Sequence, residues 1–359
     1  MSKSENNQKT VFVGLSGGVD SSVAAYLLKK SGFRVVGCFI KTWQPDFIDC
    51  TWKEERRDAM RVAAHLDIPF MTIDLEKEYK EGVADYMIRE YQLGRTPNPD
   101  VMCNKEIKFG GFLKKALEIG ADFVATGHYA RVDQDVKTCE YRLLKAIDNA
   151  KEQSYFLWTL TQDQLRKILF PIGHLQKSEV RQIAKKAGLL TFEKKDSQGI
   201  CFIGKFDFKD FLKHFIEEKK GDVLNEQGEV IGHHNGSVFF TLGERQGFVI
   251  TKKGTNDKPM YIVAKNIQEN TLTVSESPVL SSFQKETTFS LVASNIGTIT
   301  KDRVLDAQIR YHGELLKCQV VDQTKEMAKI KFETPQLIAP GQSVVLYDGD
   351  VCIGGGIIA

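Results

Sequence analysis

Residues 10–22 read TVFVGLSGGVDSS. Thr10 to Val13 is a short apolar run with strand composition. Val19, Val23, Leu27 and Leu28 then recur at helical spacing, and Gly32 stands where a helix ends. The strand is read over Val11 to Leu15, and the turn after it begins with Ser16, Gly17 and Gly18. Strand, glycine turn, helix is the opening unit of a parallel α/β sheet. The turn also has chemistry. Gly17 and Gly18 permit positive φ and close approach of a ligand. A helix starting near Asp20 aims unpaired N–H groups and its positive end at the turn. Ser16, Ser21 and Ser22 add hydroxyls. An anion site is therefore expected here, with a tight turn capped by Asp20 as the plain structural alternative. The usual lysine-bearing phosphate loop is excluded, because no lysine follows Gly18, and G-x-G-x-x-G fails at this spacing. Asp20 is expected to hold Mg²⁺ or to position a loop amide.

The pattern continues outward. Phe33 to Ile40 and Pro69 to Leu75 read as strands. Lys53 to Leu66 reads as an amphipathic helix, and long helices run to about Leu93 and Ile119. Ala121 to Thr126 is a further strand, and Gln176 to Gly188 a helix ended by glycine. This predicts a Rossmann-like domain with a parallel sheet over 1–206, with the loops at Ser16 and Gly127 on one edge. After about Phe206 short alternating stretches appear, such as Ser237 to Thr241 and Met260 to Ala264. They predict a small central domain over 207–284. From about Thr287 the chain is a succession of short strands, which predicts a C-terminal β-barrel over 285–359.

The chain has 359 residues, 42% apolar and 27% charged, with a net charge of +2. That is the composition of a folded protein of two or three domains. An RNA partner would need local basic patches rather than a basic whole. The polar start MSKSENNQKT and the lack of an apolar run of spanning length point to the cytoplasm and to no membrane. Seven widely spaced cysteines with no C-x-x-C argue against a disulfide scaffold and a zinc ribbon. No metal site is read from the sequence; His233-His234 reads as a surface pair.

Two cysteines stand in suggestive contexts. Cys103 follows RTPNPDVM, near the start of a helix, with Lys105 and Lys108 close by. Such a thiol is activated toward thiolate; a buried structural cysteine is the alternative. Cys201 lies in KKDSQGICFIG, where a core position is the bland reading, and Lys194-Lys195 reads as a solvated pair. His128 is read either as a ligand contact or as a cap on its strand.

The opening loop resembles that of the PP-loop ATP pyrophosphatases, which cut ATP between the α and β phosphates. With RTPNPDVMCNKEIKF, ATGHYAR, KEQSYFL, KKDSQGICFIG and CIGGGII in this order, the whole chain resembles the tRNA-specific 2-thiouridylase family. Gln198 and Glu152 depart from a common threonine and a frequent aspartate.

The resemblance implies ATP-dependent thiolation of the wobble uridine of tRNA at C2. It implies ATP, with Mg²⁺, on Gly14, Leu15, Ser16, Gly17, Gly18, Val19, Asp20 and Ser21, with Ile40 and Gly127 on the adenosine side. Asn98, Pro99 and Asp100 would meet the target base, Asp100 also as general acid or base. Lys151, Glu152, Gln153, Arg310 and Tyr311 would touch tRNA. Cys103 would be the nucleophile and Cys201 the persulfide carrier, with a disulfide between them as one state of the cycle. The sulfur would come from a cysteine desulfurase or a sulfur-relay protein. Rival readings are a tRNA lysidine synthetase, a GMP synthetase-like amidotransferase, or a tRNA-binding protein with a vestigial nucleotide site.

Overall fold

The computed structural model describes residues 8–48, 52–195, 208–251, 258–277, 283–291 and 303–359. Its first sheet is fully parallel, in the order β3-β2-β1-β4-β7. These are β1 (Thr10–Gly14), β2 (Arg34–Lys41), β3 (Phe70–Asp74), β4 (Phe123–Ala125) and β7 (Ile168–Leu169). In central β1, Val11 and Val13 point into one apolar cluster and Phe12 into another. Both faces of the sheet are therefore covered, which is why its strands read as continuous apolar runs.

Helices α1 (Val19–Lys30), α2 (Trp52–His65) and α5 (Lys177–Lys186) supply Val23, Val62 and Val180 to one face. The other face takes α3 (76–92) and α4 (99–118), through Tyr79, Ile107 and Phe112. Each of these two helices widens to π geometry, over Lys80–Ala84 and Cys103–Phe112. β1 has β2 on one side and β4 on the other, so the strand order reverses there. A crevice for a ligand opens at such a point, at the carboxyl ends of the strands.

The central domain is a five-stranded sheet, β10-β9-β8-β12-β11, of mixed direction. Its strands are β8 (Gly221–Leu224), β9 (Val230–His234), β10 (Val249–Ile250), β11 (Tyr261–Asn266) and β12 (Thr271–Ser275). Met87 and Tyr91 of α3 share its core with Phe239 and Leu272. The alternating stretch Ser237 to Thr241 is not a strand. It forms a 3-10 turn at Ser237–Phe239. Gly236 turns the chain at φ 137°, and Phe239 and Phe240 are both drawn into the same core. His234 is likewise not a surface residue; it is buried, and its Nδ1 accepts from Gly236 N at 2.9 Å.

The C-terminal strands are β13 (Phe283–Leu291), β14 (Val304–Gln308), β15 (Leu316–Gln323), β16 (Met327–Leu337), β17 (Ser343–Asp348) and β18 (Val351–Ile358). They run β13-β16-β15-β14-β17-β18, and β13 pairs with β18 to close a six-stranded antiparallel barrel. β18 also takes a strand from the first domain. The hairpin β5 (Ala130–Gln134) and β6 (Tyr141–Lys145) extends the barrel sheet through Val351↔Leu144 and Cys352↔Leu143. The glycine run 354–356 has a packing reason. A Cβ at Gly355 would come within 2.3 Å of the Val344 carbonyl and 3.2 Å of the Trp158 ring.

Candidate functional site

The turn after β1 is built by its own serines. Ser16 N donates to Ser21 Oγ at 3.3 Å, and Ser21 and Ser22 hydroxyls donate to the Gly18 carbonyl at 3.3 and 2.7 Å. Ser22 is fully buried, so its hydroxyl holds the loop rather than a ligand. Gly17 adopts φ 71°, and a Cβ there would meet the Glu55 carbonyl of α2 at 2.8 Å. Gly18 is the N-cap of α1, with no side chain to satisfy the first N–H groups. Those donors suit an anion.

Three of the positions expected near the nucleotide also make packing contacts. Ile40 is buried in the core, and Gly14 stands over it and over Phe112. Gly127 lies against the start of α1, where a Cβ would be 2.6 Å from Ser21 N and 2.7 Å from the Asp20 carbonyl carbon. This contact brings the Gly127 and Ser16 loops to one edge, as the parallel topology requires.

Asp20 is already engaged. Lys177 Nζ reaches both its carboxylate oxygens at 2.8 Å, and the Tyr129 hydroxyl donates to Oδ1 at 2.8 Å. The Lys177 side chain is only 13% exposed. Among the described residues no group of three or more His, Cys, Asp or Glu could hold a metal ion. In this structure the charge of the Asp20 carboxylate is met by lysine. A second lysine completes the loop from outside. Lys194, read as a solvated residue, donates to the Gly17 carbonyl at 3.1 Å and to Asp58 at 2.8 Å. Burial pushes the Asp58 carboxyl up, but Lys194 and Arg61 outweigh it and hold it below its ordinary range.

His128 follows Gly127 and is buried between Phe109 and Phe170. Lys108 Nζ lies 3.4 Å from Nε2, and Thr126 Oγ1 lies 2.7 Å from Nδ1. Because an ammonium only donates, Nε2 accepts and Nδ1–H donates to Thr126. Burial first, then the Lys108 charge, keeps this imidazole neutral well below its usual value.

The second cluster forms where all three domains meet. The 95–98 segment is bolted to the barrel by Thr96 N to the Pro340 carbonyl and by Gln342 Nε2 to the Thr96 carbonyl, both 2.8 Å. Thr96 Oγ1 lies 3.1 Å from Thr241 Oγ1 of the central domain. Asn98 caps α4 by accepting from Val101 N at 3.3 Å, and Pro99 is its first residue. Asn98 also hydrogen-bonds the Tyr155 phenol, which donates to the Ser343 carbonyl at 3.2 Å. Tyr311 of the barrel packs on Phe156, with ring centroids 4.2 Å apart. Burial, then the charges of Glu152 and Asp100, push its phenol up to about 12.

Asn98, Asp100, Glu152, Tyr155 and Tyr311 are thus brought together, with Arg310 close enough to act on Tyr155. Arg310 is exposed. Glu152 accepts from Ser154 N at 2.7 Å, and burial raises its carboxyl. Gln153 exchanges hydrogen bonds with Tyr129, its N donating at 2.9 Å and its Oε1 accepting at 3.0 Å. Lys151 N turns back to the Asp148 carbonyl at 3.1 Å. Cys103 is the fifth residue of α4 and has no exposed surface, among Val101, Met102 and Ile107. Cys201 lies outside the described residues.

The sequence alone assigns no role to Lys177, Tyr129 or Tyr155, and reads Lys194 as solvated. Only Lys177 left a signal there. A lysine at the first position of a helix sits at the positive end of the dipole, where a cation is unfavourable without a partner.

A serine-pinned, lysine-flanked anion loop on a doubly wound sheet, joined to two β domains, defines an α/β nucleotide-loop class of protein. Family models match in the same succession: a tRNA methyl transferase HUP domain over 9–205, a PRC-barrel domain over 209–276 and an aminomethyltransferase β-barrel domain over 285–358. A tRNA-specific 2-thiouridylase MnmA of Listeria monocytogenes serotype 4a is 46% identical over 98% of this chain and 95% of its own. One of Hydrogenovibrio crunogenus is 45% identical over 99% and 96%. The chain belongs to the tRNA-specific 2-thiouridylase family. The methyl transferase wording attaches to the family models, and full-length identity to the 2-thiouridylases carries more weight than that label. Among solved structures, a U34-tRNA thiolase of Methanococcus maripaludis is similar over 58% of this chain and 65% of its own, at 18% identity and a TM-score of 0.36.

Proposed function

We propose that the protein uses ATP to convert the wobble uridine of tRNA to 2-thiouridine. The observation that supports this most is the convergence at the first turn of α4. Asn98 and Asp100 from one stretch, Glu152 and Tyr155 from another, and Tyr311 from the barrel meet beside the helix that holds Cys103. That helix then packs Phe112 beneath Gly14 of the anion loop, so one rigid element joins the two halves of the reaction.

The chemistry follows from the substrate. A urea-like C2 carbonyl is a poor electrophile with a poor leaving group. Its oxygen attacks the α-phosphorus of ATP, and pyrophosphate departs toward the amides of the loop and the end of α1. The persulfide sulfur carried by Cys201 then attacks C2, and AMP leaves with the original oxygen. Cys103 attacks Cys201 Sγ in the mixed disulfide, releasing 2-thiouridine and forming a Cys103–Cys201 disulfide. The two thiols supply the two electrons that reduce the sulfur, and a thiol reductant resets them. In the other route Cys103 first frees hydrosulfide, which attacks C2. Sulfur arrives from a cysteine desulfurase or a relay protein. In this reading residues 1–206 carry the chemistry, and 207–284 and 285–359 help to dock tRNA, whose anticodon bases are read splayed out.

The test incubates the protein with tRNA, ATP and a sulfur source, followed by mass spectrometry of the nucleosides. 2-Thiouridine, AMP and pyrophosphate are expected, and Cys201→Ser should make none. ADP and phosphate as products, or full thiolation by the variant, would refute the reading.

A further inference from the structure

Lys177 stands at a crossing of two segments that the sequence separates widely. Its side chain grips Asp20 through both carboxylate oxygens. Its backbone N accepts no freedom either: it donates to Asp148 Oδ2 at 2.7 Å. Asp148 is buried, and its other oxygen accepts from Ala150 N at 3.0 Å, which shapes the 148–151 turn. A second path runs beside the first. The Tyr129 hydroxyl holds Asp20, and the Tyr129 backbone exchanges two hydrogen bonds with Gln153. Two routes therefore leave the same carboxylate and end at the two ends of one segment, 148–153. Further along that segment, Ser154 Oγ lies 3.1 Å from Tyr347 Oη of the barrel.

Asp20 sits in the first turn of α1, where a polyphosphate is to be received. A bare carboxylate there would repel it. Lysine pairing removes the repulsion, and Tyr129 fixes the direction of the group. We infer that Lys177 and Tyr129 are positioning residues that lock Asp20 and, through Asp148 and Gln153, couple occupancy of the nucleotide loop to occupancy of the 148–153 segment by RNA. This rests on the proposed function for the identity of the two ligands. Moving either end of the network changes the geometry of the other, so each ligand should tighten the other by the same factor, as linkage requires.

The experiment measures four dissociation constants by titration: a non-cleavable α,β-methylene ATP analogue with and without unmodified tRNA, and tRNA with and without the analogue. The wild-type protein is expected to show a coupling of at least about fivefold, equal in both directions. Tyr129→Phe keeps the ring packing and loses the hydroxyl, and its coupling should fall below about twofold, with tRNA affinity alone unchanged. Lys177→Met should do the same and weaken the analogue, and Lys177→Arg, which keeps a fork of donors for the carboxylate, should restore part of the coupling. A destabilised fold would lower both single affinities instead of their ratio, so the ratio separates positioning from mere structural support. Binding of both ligands with a wild-type ratio in Tyr129→Phe and Lys177→Met overturns the inference and leaves the proposed function standing. Binding of neither ligand by the wild-type protein overturns both.

Discussion

Replacing Gly127 by alanine adds one methyl group where the structure has no space for it. The new Cβ would stand 2.6 Å from Ser21 N and 2.7 Å from the Asp20 carbonyl carbon. Both neighbours are main-chain atoms, so no rotamer change relieves the contact. To reach ordinary contact at 3.4 Å the start of α1 must retreat by about 0.8 Å. Overpacking of this kind costs about 1–3 kcal/mol. For a domain of 150–250 residues that is a fall in Tm of roughly 2–12 °C. The larger effect should be on turnover. A misplacement near 1 Å costs up to about a hundredfold, so kcat/KM for ATP should fall roughly tenfold to a hundredfold. Thermal melts by circular dichroism and initial rates of pyrophosphate release, with tRNA saturating, measure the two terms. Gly120→Ala is the control. It also adds a methyl, at φ 102°, but meets nothing within 4 Å. Its backbone strain of about 1–3 kcal/mol should lower Tm and leave kcat/KM alone. If Gly127→Ala behaves like Gly120→Ala, the reasoning that Gly127 sets the position of the loop is wrong.

Two further outcomes follow from the site. Asn98→Ala removes the cap on α4 and the bond to Tyr155, and should cost about 1 kcal/mol of stability with a larger proportional loss of thiolation. Asn98→Asp should recover the stability, and equal stability in the alanine variant would deny the cap its role. His128 is held neutral when folded but titrates near its ordinary value of about 6.5 when unfolded. The folded state then binds fewer protons, so stability is lost as pH falls below about 6.5. By pH 5 this amounts to at most about 2 kcal/mol. His128→Gln should therefore show a smaller drop in Tm between pH 7.5 and 5 than the wild-type protein; an equal drop would mean that the imidazole does not resist protonation.

Local pattern revealed the first domain well, because its helices and strands each carry their own periodicity. Val11 and Val13 against Phe12 already state a two-faced sheet, and Gly32 and Gly188 mark helix ends. The β5–β6 hairpin was hidden, because RVDQD and YRLLK gain their partner only from β18, far along the chain. Ser237 to Thr241 alternates on paper, yet Gly236 and the pull of two phenylalanines toward α3 bend it into a turn. The glycine loop was legible as a tight turn between strand and helix, but its lysines were not. Lys177 opens α5 and Lys194 follows that helix, and no spacing rule connects them to Asp20 or Gly17. Gly127 packs against the start of α1 and Ile40 lies in the core beneath Gly14, contacts that no local pattern announces.

The strand that crosses from the barrel has a consequence for synthesis. Leu144 of β6 is made early, and its partner Val351 lies 207 positions later, in the last strand of the barrel. At about 5–20 residues per second the ribosome needs roughly 10–40 s to supply it. For that interval the nascent hairpin carries an open edge, the kind of edge to which other chains can add. Arg142, paired with Asp133 and Asp135, and Arg131 place charge on the hairpin. They act as a guard on an edge that must wait. The first domain is thus sealed only when β18 has left the exit tunnel, so removing β18 should expose the first domain to aggregation even though every residue of that domain is intact.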